Sequence, residues 1–197
     1  MNSSSVMDPA DILIRCQDTP NPYAIKFVAN APFTEDQKVT VQSRMDVPDV
    51  PLARDLMGLL GVKQAYFFAN TVTVTHDGSY DVEELKEKVM AVIRSRMAVH
   101  DVTFSTQDTS RPQGPVDRSH LSAELQEVES ILDRTIRPGL QADGGDLEVL
   151  SYEDNKIKIL YQGACGGCPS ALMGTLDAIQ SILRHELKNE DLRVTPV

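Results

Sequence analysis

From Ser105 to Ser119 the chain reads STQDTSRPQGPVDRS, a stretch with one apolar residue, two prolines and one glycine. No helix or strand with a buried face can be built from it, so it predicts a linker that cuts the chain in two. A flexible segment of this length spans about 20 Å on average, enough to let the two parts move independently. Each part is smaller than the commonest domain size of roughly 100–150 residues, so the 197-residue chain is expected to hold two small cores rather than one. Residues 1–10 carry no apolar pattern and are expected to be disordered. That leaves candidate domains at 11–104 and 120–197.

Both parts mix strand and helix signals. In the first, short apolar runs at 11–16 and 23–29 flank Thr19-Pro20-Asn21-Pro22, whose prolines enforce a turn. A third strand is expected at 38–43. Leu52, Leu56, Leu59 and Leu60 recur at helical spacing before Gly61 and predict a helix over 50–60. Strands follow at 62–69 and 71–76, the second alternating valine with threonine. Val82, Leu85, Val89, Val92, Ile93 and Met97 then share one helix face. In the second part Leu121, Leu125, Val128, Ile131, Leu132 and Ile136 trace a helix expected to stop at Pro138-Gly139. A hairpin over 146–152 and 156–162, a helix carrying Leu172, Leu176, Ile179, Leu183 and Leu187, and a last strand over 192–195 complete the pattern. The fold class is therefore α+β, as two small α+β domains joined by a flexible linker.

Charge narrows the function classes. The chain has 29 acidic and 19 basic residues, a formal net charge of −10. Through Ser105 there are 10 basic and 14 acidic residues, and beyond it 9 and 15, so the two parts carry −4 and −6. Neither is a basic reading head, and no nucleic acid partner is expected. No apolar run approaches the ~18 residues of a membrane span, and the start shows no targeting pattern, so no membrane role and a cytoplasmic location are expected. Three cysteines are too few for a disulfide framework and read as reduced thiols, metal ligands or redox groups.

The chemistry concentrates in Gly163-Ala164-Cys165-Gly166-Gly167-Cys168-Pro169, placed after a predicted strand and before a predicted helix. Two thiols two residues apart can address one centre, and the glycines let backbone amides approach. Pro169 suits a first helical position. The helix N-terminus is expected to favour thiolate over thiol. Three readings share Cys165 and Cys168: a dithiol redox pair of thioredoxin type, a zinc site, and an iron–sulfur site. Both metal readings need four ligands. His185 lies 17 residues beyond Cys168, roughly 25 Å along a continuous helix, and cannot close the set. Carboxylates such as Asp143 and Asp146 suit soft metals poorly. Two copies of the chain, each bringing Cys165 and Cys168 to a twofold axis, supply four thiolates.

Arg137-Pro138-Gly139-Leu140, Asp143-Gly144-Gly145-Asp146 and the Cys165–Cys168 loop together resemble the C-terminal domain of NifU-like (Nfu) iron–sulfur proteins. Thr19-Pro20-Asn21-Pro22-Tyr23-Ala24-Ile25-Lys26-Phe27, with Phe67-Phe68-Ala69-Asn70, resembles the N-terminal domain of many Nfu proteins. The resemblance implies that Cys165 and Cys168 ligate a [4Fe–4S] cluster shared between two chains. It further implies a non-enzymatic carrier that forms a homodimer on cluster binding, receives the cluster from an upstream assembly scaffold and passes it to apo iron–sulfur client proteins. The longer NifU proteins have further cysteines that this chain lacks, so transfer is expected rather than assembly. Residues 1–104 hold no chemical motif and are expected to recognise clients.

The remaining residues take plain readings. Cys16 is expected to be a half-buried strand thiol, and Asp143-Gly144-Gly145-Asp146 a sharp turn whose glycines supply positive φ. His76, His100 and His120 are expected at the surface or in turns. Phe67 and Phe68 are expected in strand core, with one ring free to face outward.

Overall fold

A computed structural model describes residues 11–35, 37–106, 122–166 and 169–197, the side chains of 169–173 excepted. The chain divides into two compact units, Met1–Val116 and Asp117–Val197. The expected disordered start at 1–10, His120, and all but the first two residues of the expected linker lie outside the described residues. Among the described residues no helix is long and apolar enough to cross a membrane.

The first unit is an antiparallel sheet backed by two helices. Its strands β1 (Ile14–Asp18), β2 (Ala24–Ala29), β3 (Lys38–Val41), β4 (Val62–Phe68) and β5 (Thr71–His76) lie in the order β1-β2-β5-β4-β3. Alternation places Ile25, Phe27, Val72, Val74, Ala65, Phe67, Val39 and Val41 on one face, where they meet Leu52, Ala53 and Leu56 of α1 (Pro51–Leu56) and Leu85, Val89 and Ile93 of α2 (Val82–Arg96). Asp81 starts α2 by accepting a hydrogen bond from the Glu84 amide at 3.0 Å, which satisfies one of the helix's orphan donors. The first helix is shorter than its leucine spacing predicted. It ends at Leu56, and Leu59 and Leu60 sit in the turns before Gly61, whose φ of +84° no leucine tolerates well. Phe67 is buried; Phe68 is half-buried, with the Lys38 ammonium 5.6 Å above its ring.

The two described histidines of this unit both lie next to turns, as expected, but His76 is buried and His100 half-buried rather than at the surface. His76 is 4% exposed, its Nδ1 accepting from the Gly78 amide at 3.2 Å and its ring edge-on to Tyr23. His100 packs between Phe33 and Phe104 and its Nε2 donates to the Phe33 carbonyl at 2.7 Å. Burial lowers the pKa of both below the ordinary histidine value of 6.5. His76 continues the Val72–Val74 alternation of β5, a signal the sequence did offer, whereas His100 lies outside any strand or helix stripe.

The second unit is a three-stranded sheet with its core against three helices. Strands β6 (Gly145–Glu153) and β7 (Lys156–Gly163) form an antiparallel hairpin around Asp154 and Asn155, both at positive φ as a tight hairpin turn requires. Strand β8 (Arg193–Pro196) pairs parallel to β7, which requires a crossover, supplied by α5 (Pro169–Leu187). Helix α3 (Ala123–Thr135) buries Val128, Ile131 and Leu132 against Leu147, Ile157, Ile159, Ile179 and Leu183. The expected stop at Pro138-Gly139 is instead the first turn of a further helix, α4 (Arg137–Ala142). The break falls one step earlier, at Ile136, because proline lacks only an amide that a first helical turn leaves unpaired anyway.

Candidate functional site

The crossover begins where β7 ends, and the cysteine loop occupies that junction. Gly163 pairs with Gly145 across the hairpin and turns the chain with a φ of +61°. The Ala164 amide then donates to the Gly144 carbonyl at 3.1 Å and the Gly166 amide to the Gly163 carbonyl at 3.1 Å, so Cys165 is held between two backbone anchors. Its side chain lies on Gly145. A Cβ added there would collide with Cys165 Sγ, and would stand 2.8 Å from the Cys165 amide nitrogen and 3.0 Å from the Gln162 carbonyl. The two glycines of Asp143-Gly144-Gly145-Asp146 thus differ: Gly144, at φ +81°, makes the turn, whereas Gly145 makes room for a sulfur. The sequence reading gave both the first role only.

The electrostatics correct a second expectation. Cys165 is free and half-buried, and its pKa is pushed up to about 12, first by burial and then by the charges of Asp146 and Asp143. At neutral pH it is a thiol, not the thiolate expected from a helix N-terminus. It stands four positions before Pro169, beyond the single turn over which a helix dipole acts, while the charges of Asp146 and Asp143 act on it.

Asp146 is completely buried, and sequence patterns did not reveal it as such. One carboxylate oxygen accepts from the Leu147 amide at 2.7 Å and the other from Gln141 Nε2 at 3.0 Å. Arg137, 5% exposed, brings Nε to 3.5 Å from Asp146 Oδ1 and Nη1 to 2.8 Å from Glu129 Oε2 and 2.6 Å from Asp133 Oδ1. Its Nη2 also donates to the Leu147 carbonyl at 3.3 Å. One guanidinium from α4 therefore ties α3 to the start of β6, the strand on which the sulfur rests. The available signal was a lone arginine beside a helix-starting proline, which is too common to name a buried ion cluster.

Tyr161 precedes the loop on β7 and faces the core with Ile157 and Ile159. Burial, with a further contribution from Cys165, pushes its pKa up to about 12. Among the described residues no group of three His, Cys, Asp or Glu side chains converges as a metal site. The second expected ligand, Cys168, lies outside the described residues. Cys16 is on β1, packed partly against the first unit's core, with its pKa raised by burial, as a strand thiol should be. The described site thus offers one soft sulfur, seated on bare backbone, whose use either as a metal ligand or as a nucleophile requires loss of its proton.

Comparison with known proteins divides the chain in the same way. Residues 128–195 match the family model of the NifU-like domain, and residues 14–100 that of the N-terminal part of the scaffold protein Nfu/NifU. The chain is 31% identical over 174 residues to the human NFU1 iron-sulfur cluster scaffold homolog, mitochondrial, covering 88% of this chain and 67% of that protein. It is 27% identical over 176 residues to NifU-like protein 5, mitochondrial, of Arabidopsis thaliana, covering 88% of this chain and 64% of that one. It thus spans about two thirds of the length of these relatives. A solution structure of a NifU-like protein from Saccharomyces cerevisiae is similar with a TM-score of 0.40 and 18% identity, over 50% of this chain and 84% of that one.

Proposed function

This chain belongs to the Nfu family of NifU-like proteins, and on that premise we propose that it carries an iron–sulfur cluster and hands it to apo-proteins. The cargo is a [4Fe–4S] cluster held by Cys165 and Cys168 of two copies of the chain. The observation that carries this reading is the seat of Cys165: a free thiol, fixed by two backbone hydrogen bonds and resting on Gly145, three residues before a second cysteine. A four-iron cluster takes four thiolates. One loop supplies two, so a second copy completes the set, and the homodimer forms around the cargo.

Handover is ligand exchange. A client thiolate displaces Cys165 or Cys168 from iron: the iron–sulfur bond to the carrier breaks, one to the client forms, and the released sulfur takes up a proton; the chain ends as it was before loading, a carrier and not an enzyme. The cargo comes from an upstream assembly scaffold and goes to apo iron–sulfur proteins, within a reducing, cytoplasm-like compartment that keeps both cysteines as thiols. The first unit, with a core of its own, selects the clients. A dithiol oxidoreductase using the same cysteines is the alternative, and iron loading on reconstitution separates the two.

Anaerobic reconstitution followed by iron, sulfide and mass analysis tests the reading. The expected result is a dimer with about four irons per two chains. Cys165→Ser and Cys168→Ser should each bring iron to background while leaving far-ultraviolet circular dichroism unchanged. A monomer without iron, or a double variant that still loads, would overturn the proposal. Transfer from the whole chain and from a chain lacking residues 1–105 to several apo-proteins tests the first unit's part; an unchanged ranking of clients counts against it.

A further inference from the structure

Tyr161 ends the series Ile157, Ile159, Tyr161 that β7 turns toward the second unit's core. Its side chain is 8% exposed, its hydroxyl is buried, and among the described residues that hydroxyl has no hydrogen-bond partner. Buried phenols ordinarily find an acceptor, because a stranded O–H offsets much of what burying the ring gains. A phenylalanine would fill the same space without that cost. What sets the position apart is its place: Tyr161 shares a face of β7 with Gly163, Gly163 pairs with Gly145, and the Cys165 sulfur lies against Gly145 and packs partly on the same apolar cluster. The donor left over by the fold therefore lies beside the sulfur expected to hold cargo.

Sulfur that carries its proton is a weak hydrogen-bond acceptor. Metal-bound thiolate and cluster sulfide carry negative charge and accept more strongly. We propose that the Tyr161 hydroxyl is a positioning group for the cargo, donating a hydrogen bond to anionic sulfur at the bound cluster, that of Cys165 or of the sulfide beside it. The inference rests on the cluster-carrier reading and deepens it. The bond exists only in the loaded state, so it holds the cargo without stabilising the empty chain. Hydrogen bonds to cluster sulfur also raise the reduction potential, so this donor makes the bound cluster easier to reduce.

Tyr161→Phe removes the donor and keeps the ring. The unloaded variant should melt at or above the parent temperature, since a stranded polar group is gone. Once loaded, it should lose its cluster to a chelator roughly five-fold faster, the size of one net hydrogen bond. Its reduction potential should be more negative. The Fe–S stretching bands of the parent should shift on deuteration by a component that the variant lacks. Equal release rates and equal deuterium shifts in parent and variant would overturn the inference. So would an unloaded variant melting well below the parent, because the hydroxyl would then be bonded within the fold. A parent chain that takes up no iron at all would instead overturn the carrier reading, and this inference with it, before the variant is compared.

Discussion

The two units bury polar groups in opposite ways. The first encloses a continuous apolar core under a five-stranded sheet, with one buried histidine, His76, and a half-buried one, His100, against aromatic rings, both with pKa lowered by burial. The second has a smaller, three-stranded sheet, yet it buries full charges: Arg137 with Glu129 and Asp146, directly behind the strand that seats Cys165. Buried ion clusters add little net stability, since desolvation consumes most of the attraction. Placing one in the smaller core is a poor way to stabilise it and an effective way to fix the start of β6 relative to α3 and α4. The difference separates a unit organised for packing from one organised around a site.

Removing the cation should break the comparison most strongly. Arg137→Met leaves Glu129 and Asp146 buried without their partner and should cost about 3–5 kcal/mol in urea unfolding of the second unit. The first unit's transition should not move; if both move together, the units are not energetically separate. Gly145→Ala comes next. The added methyl meets Cys165 Sγ and backbone atoms that cannot give way, and overpacking of this kind costs about 1–3 kcal/mol. Iron loading should fall with it, whereas alanine at Gly139, where a Cβ meets nothing within 4 Å, should load normally.

A smaller effect distinguishes the first unit by pH. The folded pKa values of His76 and His100 lie below 6.5, so below that pH the unfolded chain binds more protons than the folded one. Their contribution is complete above about pH 6.5 and is lost as pH falls through that value toward the folded pKa. The first unit's melting temperature should therefore drop between pH 7.5 and 5.5, and the drop should shrink in His100→Phe. The smallest expected effect is Gly139→Ala on stability, a gain of about 0.5–1 kcal/mol from replacing glycine inside a helix.

Most elements were legible because their signals are local. Valine and threonine alternate along β5, leucines and valines recur along α2, and Asp154-Asn155 makes a turn that almost any reading of the hairpin would find. The cysteine loop was legible because two sulfurs and their glycines adjoin in sequence. What stayed hidden depends on residues far apart. Asp146 is 19 positions from Cys165, and only the pairing of Gly145 with Gly163 brings its charge to the sulfur and reverses the protonation state expected of a helix start. Arg137 opens a further helix, α4, where the sequence predicted only the end of α3 at Pro138-Gly139, and from there it reaches Glu129. The hydroxyl of Tyr161 could be flagged only once its strand was known to face inward.

The floor that Gly145 provides has a directional consequence. One flank of the Cys165 sulfur is closed by main chain that carries no side chain to swing aside, and another is turned to the apolar core. On the carrier reading proposed above, a displacing thiolate is kept from these two flanks, so handover turns on the reach and orientation of a client's cysteines as much as on affinity.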